Sequence, residues 1–95
     1  MIVCFDVDGT LIDYKNKPRE LVINLLKSLK ALDCVIYVWS GGGVEYAKGW
    51  VNRLCLNEFV NGVRVKGSIK PDLAIDDQCV NLGLVNFQTN PLKEY

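Results

Sequence analysis

Ninety-five residues allow one hydrophobic core and a single domain over 1–95, and 49% hydrophobic side chains are enough to fill it. Eleven basic and eleven acidic side chains cancel, which removes any general attraction to nucleic acid or anionic membrane; a local basic patch, and so a nucleic-acid partner, is not excluded. Histidine is absent, which rules out Ser-His-Asp and Cys-His catalysis and leaves carboxylates, lysines and hydroxyls to carry any chemistry.

The four cysteines, Cys4, Cys34, Cys55 and Cys79, form no C-x-x-C pair, and three of them lie in apolar runs. They read as small buried hydrophobes in a reducing compartment rather than as a zinc or redox site. Met1 leads directly into an apolar run with no basic segment or cleavable signal, so a cytoplasmic location is expected. No apolar stretch approaches the roughly 20 residues that span a bilayer, and no membrane partner is expected.

Residues 2–5 (Ile-Val-Cys-Phe) form a continuous apolar run ended by Asp-Val-Asp-Gly-Thr, the pattern of a buried strand that feeds a loop. Over residues 18–32 the apolar positions Leu21, Val22, Leu25, Leu26, Leu29 and Leu32 recur at helical spacing, with Pro18 where a first turn tolerates it. A second buried strand at 34–39 is stopped by Ser40-Gly41-Gly42-Gly43, and residues 44–56 resume a helical pattern. Short strands are predicted at 62–65, at 73–75 ahead of Asp76-Asp77, and at 84–87. Alternating strands and helices predict a Rossmann-like, three-layer α/β sandwich around a small, mostly parallel sheet.

In such sheets the functional crevice lies at the carboxyl ends of the strands. Asp6 to Thr10, Ser40 to Gly43, Lys66 and Asp76-Asp77 each follow a predicted strand. Asp6 and Asp8 stand two apart, so an extended backbone aims both carboxylates into one crevice while Val7 points away. Paired carboxylates repel, and a hard divalent cation with oxygen ligands is the natural remedy. Tyr14 lies in the polar loop beside these acids, where it is placed to contact a substrate. Trp39, Trp50, Tyr37 and Tyr46 read as core and helix-packing residues.

The segment Asp6-Val7-Asp8-Gly9-Thr10-Leu11 resembles the first motif, D-x-D-G-T-L, of haloacid dehalogenase-like phosphatases. Ser40 resembles that family's second motif, a lysine within 62–70 the third, and Asp76-Asp77 the acidic fourth, all in the family's order. The resemblance implies a magnesium-dependent phosphomonoester hydrolase in which Asp6 attacks phosphorus and forms an aspartyl phosphate. It further implies that Asp8 is the acid for the leaving group and then the base for water. Asp6, the Asp8 backbone carbonyl, Asp76 and Asp77 would serve the Mg2+ site, and Ser40, Gly41, Gly42 and Thr10 would bind the phosphate. Lys66 and Lys70 both lie in the window for the third motif. Lys70, six residues before Asp76 on extended chain, would sit roughly 20 Å away, so Lys66 is the expected cation. The link from Lys66 to Asp76 is short for the family, which typically places a helix there.

Neither of the family's usual positions for an inserted cap has room for one. An open crevice suits a phosphorylated substrate that brings its own cover, such as a phosphoprotein or a nucleic-acid end, or a small phosphometabolite if a second copy or another partner closes the site. The competing reading is a non-hydrolytic phosphoryl-binding or phosphoacceptor module, since receiver domains also gather carboxylates, a hydroxyl and a lysine around magnesium. Receivers place their paired acids first and the phosphoacceptor later, the reverse of this chain. Asp8 also speaks against such a module, because a stable phosphoacceptor has no need of an acid two places on.

Overall fold

A computed structural model describes residues 1–91. The remaining residues of the expected domain, 92–95, lie outside the described part. The chain forms β1 (Ile2–Asp6), α1 (Glu20–Ala31), β2 (Val35–Trp39), α2 (Val44–Arg53), a 3-10 turn (Asn57–Phe59), β3 (Gly62–Val63), β4 (Leu73–Asp76) and β5 (Val85–Gln88). All five strands join one parallel sheet in the order β3-β2-β1-β4-β5. β1 is central, with Asp6 opposite Trp39 of β2 and Phe5 opposite Ile75 of β4. Its position explains its unbroken apolar run, because Val3, Cys4 and Phe5 are covered on both faces and have no exposed surface.

The two steps β1-α1-β2 and β2-α2-β3 move the same way across the sheet. Right-handed crossovers therefore put both helices on one face. Val22, Ile23 and Leu26 of α1 and Ala47, Trp50 and Val51 of α2 share a core there with Val3, Phe5, Ile36, Val38 and Ile75. The next connection must jump back over β2 and β1 to reach β4, and the same handedness sends it across the opposite face. On that face Ile69 and Leu82, from the two irregular connections around β4, pack on Cys4, Trp39 and Ala74.

The expected three-layer sandwich is therefore corrected to one helical layer, one sheet and an irregular cover. Among the described residues no helix lies between β3 and β4 or between β4 and β5. The link 64–72 must cross about three strand spacings of roughly 4.8 Å and also run back to the start of β4, and it does so as irregular chain with a tight turn in which Ser68 N donates to Val65 O at 3.0 Å.

α1 is shorter than the predicted 18–32. Pro18 bridges antiparallel to Ile12, and the helix begins at Glu20. Of its expected apolar stripe, Leu21, Leu25 and Leu32 are exposed, because a helix on one side of a single sheet buries only part of its circumference. The cysteines are all free, and only Cys4 and Cys34 are buried; Cys55 and Cys79 are exposed, against expectation. Burial pushes the Cys4 thiol up to about 12, so that sulfur is chemically quiet. No helix among the described residues is long and apolar enough to cross a membrane.

Candidate functional site

The loop after β1 is wound around one carbonyl. Val7 O accepts hydrogen bonds from the backbone N–H groups of Thr10 at 3.1 Å, Leu11 at 3.0 Å and Ile12 at 3.2 Å. Val7, Leu11 and Ile12 drop into the core, while Asp6 stays at the strand end. Gly9 has φ +75, and a Cβ there would collide with the Asp77 carboxylate. Glycine is required at this position both by the backbone and by the closeness of the β4 loop.

Arg19 braces the loop from the inside. Its guanidinium is buried and donates from Nη1 to Gly9 O at 2.6 Å and to Thr10 O at 3.4 Å. Sequence reasoning missed it, because a lone arginine ahead of an amphipathic helix looks like any surface charge.

Parallel pairing of β1 with β4 brings three acids together. Carboxylate oxygens of Asp6, Asp76 and Asp77 lie within 4.8 Å of one another, and Asp6 and Asp76 are buried. Lys66 reaches over from the β3–β4 crossover, its Nζ 3.2 Å from Asp6 Oδ1 and 2.7 Å from Asp76 Oδ2. Lys70 has no such contact with the acids among the described residues. Burial, with the nearby Asp76 charge, pushes Asp6 up to about 7, and Lys66 opposes the rise. Lys66 is itself held above the usual lysine value: burial pulls it down, but its bonds and attraction to Asp76 and Asp6 outweigh that. Burial also pushes Asp77 upward, and hydrogen bonds from Tyr14 and its neighbours reverse this and leave it below the ordinary range.

Two tyrosines stand at the rim. Tyr14 donates its hydroxyl to Asp77 Oδ2 at 2.8 Å, and Tyr46 donates to Asp8 Oδ1 at 2.7 Å. Both hydroxyls are raised above the ordinary tyrosine value, first of all by these bonds to carboxylates. Tyr46 was expected to pack within the fold, yet it is 39% exposed. Helical periodicity could not reveal that the first turn of α2 meets a carboxylate carried by the loop after β1. The Asp8 side chain is exposed and stands outside the group formed by Asp6, Asp76 and Asp77.

Comparisons of the chain with protein-family models, curated proteins and solved structures find no match. The chemistry of the assembled side chains is what remains to define the site.

After β2, Ser40 Oγ accepts from Gly42 N at 3.0 Å, and Gly43 N donates to Ser40 O at 3.1 Å. This turn opens directly into α2, whose Gly43 cap supplies no side-chain acceptor to the first N–H groups. A Ser40 hydroxyl, a tight glycine turn and a helix N-terminus together favour an anion. Gly41 and Gly42 are exposed on this turn. Thr10, expected at the phosphate, has no exposed surface, and its Oγ1 finds no hydrogen-bond partner among the described residues. The winding around Val7 O turns it inward, away from the crevice. A cavity of about 300 Å3 lined by Asp13, Tyr14, Lys15 and Pro91 shares Tyr14 with the acid group.

Proposed function

We propose that this protein is a magnesium-dependent phosphomonoester hydrolase of haloacid dehalogenase type, working through an aspartyl phosphate on Asp6. The observation that carries the reading is the arrangement of Asp6, Asp76 and Asp77 around Lys66 at adjacent strand ends. Three clustered carboxylates offer a hard cation the all-oxygen donors it takes. Asp6, Asp76 and Asp77 would hold Mg2+, which supplies charge neutralisation to the phosphoryl oxygens when bound.

The chain's own residues account for the rest. Ser40 and the N-terminal amides of α2 orient the phosphoryl group, and Lys66 balances negative charge on the Asp6 side. An Asp6 oxygen forms a bond to phosphorus as the ester P–O bond breaks, and Asp8 gives its proton to the departing oxygen. Asp8, now ionised, takes a proton from water as that water attacks phosphorus. The P–O bond to Asp6 breaks, and phosphate leaves.

The test is phosphate release from para-nitrophenyl phosphate with and without Mg2+, for the wild type and Asp6→Asn. Magnesium-dependent release that the substitution abolishes is expected. A phosphorylated protein that retains its phosphoryl group on Asp6 would instead indicate a phosphoacceptor module.

A further inference from the structure

We propose that Tyr46 is a positioning residue that holds Asp8 as the acid for the leaving group, a role that rests on the hydrolase reading above. Tyr46 lies in the first turn of α2, and its hydroxyl donates to Asp8 Oδ1 at 2.7 Å. The ring is held from behind by the loop after β2. A Cβ on Gly42 would come within 2.9 Å of Tyr46 Cδ2, so the bare glycine backbone forms a seat for the ring. One loop thus carries Ser40 toward the phosphate and fixes the tyrosine that fixes the acid.

Asp8 needs such a partner. It is exposed, follows the last strand residue of β1 by two positions, and lies outside the Asp6, Asp76 and Asp77 group. Left alone, its carboxyl would sample several rotamers and be correctly aimed in only some of them. Because Tyr46 occupies Oδ1 as a donor, Oδ2 is the oxygen left to carry the proton. In the transfer step that proton moves from Oδ2 to the ester oxygen while the ester P–O bond breaks and the bond from Asp6 to phosphorus forms. Asp8 ends the step as a carboxylate, which the Tyr46 hydroxyl continues to solvate.

Tyr14 makes a similar bond to Asp77, but Asp77 belongs to the acid group and not to the leaving-group side. A bond between two exposed side chains adds little to stability, so a purely structural role for Tyr46 would show no dependence on the substrate.

The dependence to seek is on the leaving oxygen. Para-nitrophenolate leaves without a proton, whereas an alkoxide does not. The experiment compares kcat/KM of wild type and Tyr46→Phe, with Mg2+, on para-nitrophenyl phosphate and on glycerol 2-phosphate. This ratio reads events up to departure of the alcohol and excludes the later hydrolysis of the aspartyl phosphate. Phenylalanine keeps the ring against Gly42, and a thermal melt verifies that the variant is folded. General acid catalysis is worth about 10²–10⁴-fold, so loss of positioning should cost about tenfold to a hundredfold on glycerol 2-phosphate and under about threefold on para-nitrophenyl phosphate. In an Asp8→Asn background the same tyrosine change should have no selective effect.

Equal losses on the two substrates, or a selective loss that persists without Asp8, would overturn the role of Tyr46 and leave the hydrolase reading standing. Absence of turnover by the wild type on both substrates would overturn the two together.

Discussion

Replacing Asp6 with asparagine should make the metal-free protein more stable, although it removes the residue on which the proposed chemistry depends. Asp6 is buried beside Asp76, and its carboxyl rises from the ordinary 3.8 to about 7 even with Lys66 attached. That gap, at about 1.4 kcal/mol per tenfold change in proton affinity, sets a ceiling of about 4 kcal/mol on the cost of ionising Asp6 in the fold. Lys66 loses one of its two partners in the variant, which offsets part of the gain. The expected net gain at pH 8 is about 2 kcal/mol, or about 10 °C in Tm for a domain of this size.

The sign can be checked from the proton balance. Below about pH 4 both folded and unfolded chains hold the Asp6 proton, and this group costs the fold nothing. As pH rises toward about 7 the unfolded chain releases the proton first, so wild-type stability falls relative to Asp6→Asn; above that the gap is constant. Chemical denaturation in EDTA at several pH values from 4 to 8 measures it. A variant less stable than wild type at pH 8, or a difference that does not change with pH, would refute the reasoning.

Lys66→Ala leaves Asp6 and Asp76 without their shared cation; it should cost about 2 kcal/mol at neutral pH and abolish phosphate release, while Lys70→Ala changes neither. Urea denaturation and the para-nitrophenyl phosphate assay test both variants. Gly9→Ala forces a side chain into a positive-φ position and against Asp77. A stability loss of at least about 1 kcal/mol is expected, with a weaker stabilising response to added Mg2+ in a thermal melt. Arg19→Met keeps the volume but strips donors from Gly9 O and Thr10 O; about 1–3 kcal/mol should be lost in the same denaturation assay.

Much of the frame was legible in the sequence because parallel strands buried on both faces read as unbroken apolar runs. Ile2 to Phe5 and Val35 to Trp39 are such runs, and the polar residues that end them mark the crevice. The choice of Lys66 over Lys70 was legible for a related reason: distance along an extended chain is simple arithmetic. What depended on winding was not legible. Thr10 looked available to a phosphate, but three amides converging on Val7 O turn it into the core. Tyr46 and Arg19 were hidden because their partners, Asp8 and the carbonyls of Gly9 and Thr10, come from a different element. The missing third layer follows from topology, in which a short return crossover leaves no length for a helix.

That bare crossover gives the protein an internal reporter. The segment 64–72 is anchored by Ile69 on the far face of the sheet and by Lys66 on the acids, with no helical hydrogen-bond ladder of its own. Whatever competes for those acids also loosens or tightens one end of this strap. Amide exchange along it would therefore record occupancy of the crevice from the opposite side of the sheet, with no label placed in the site itself.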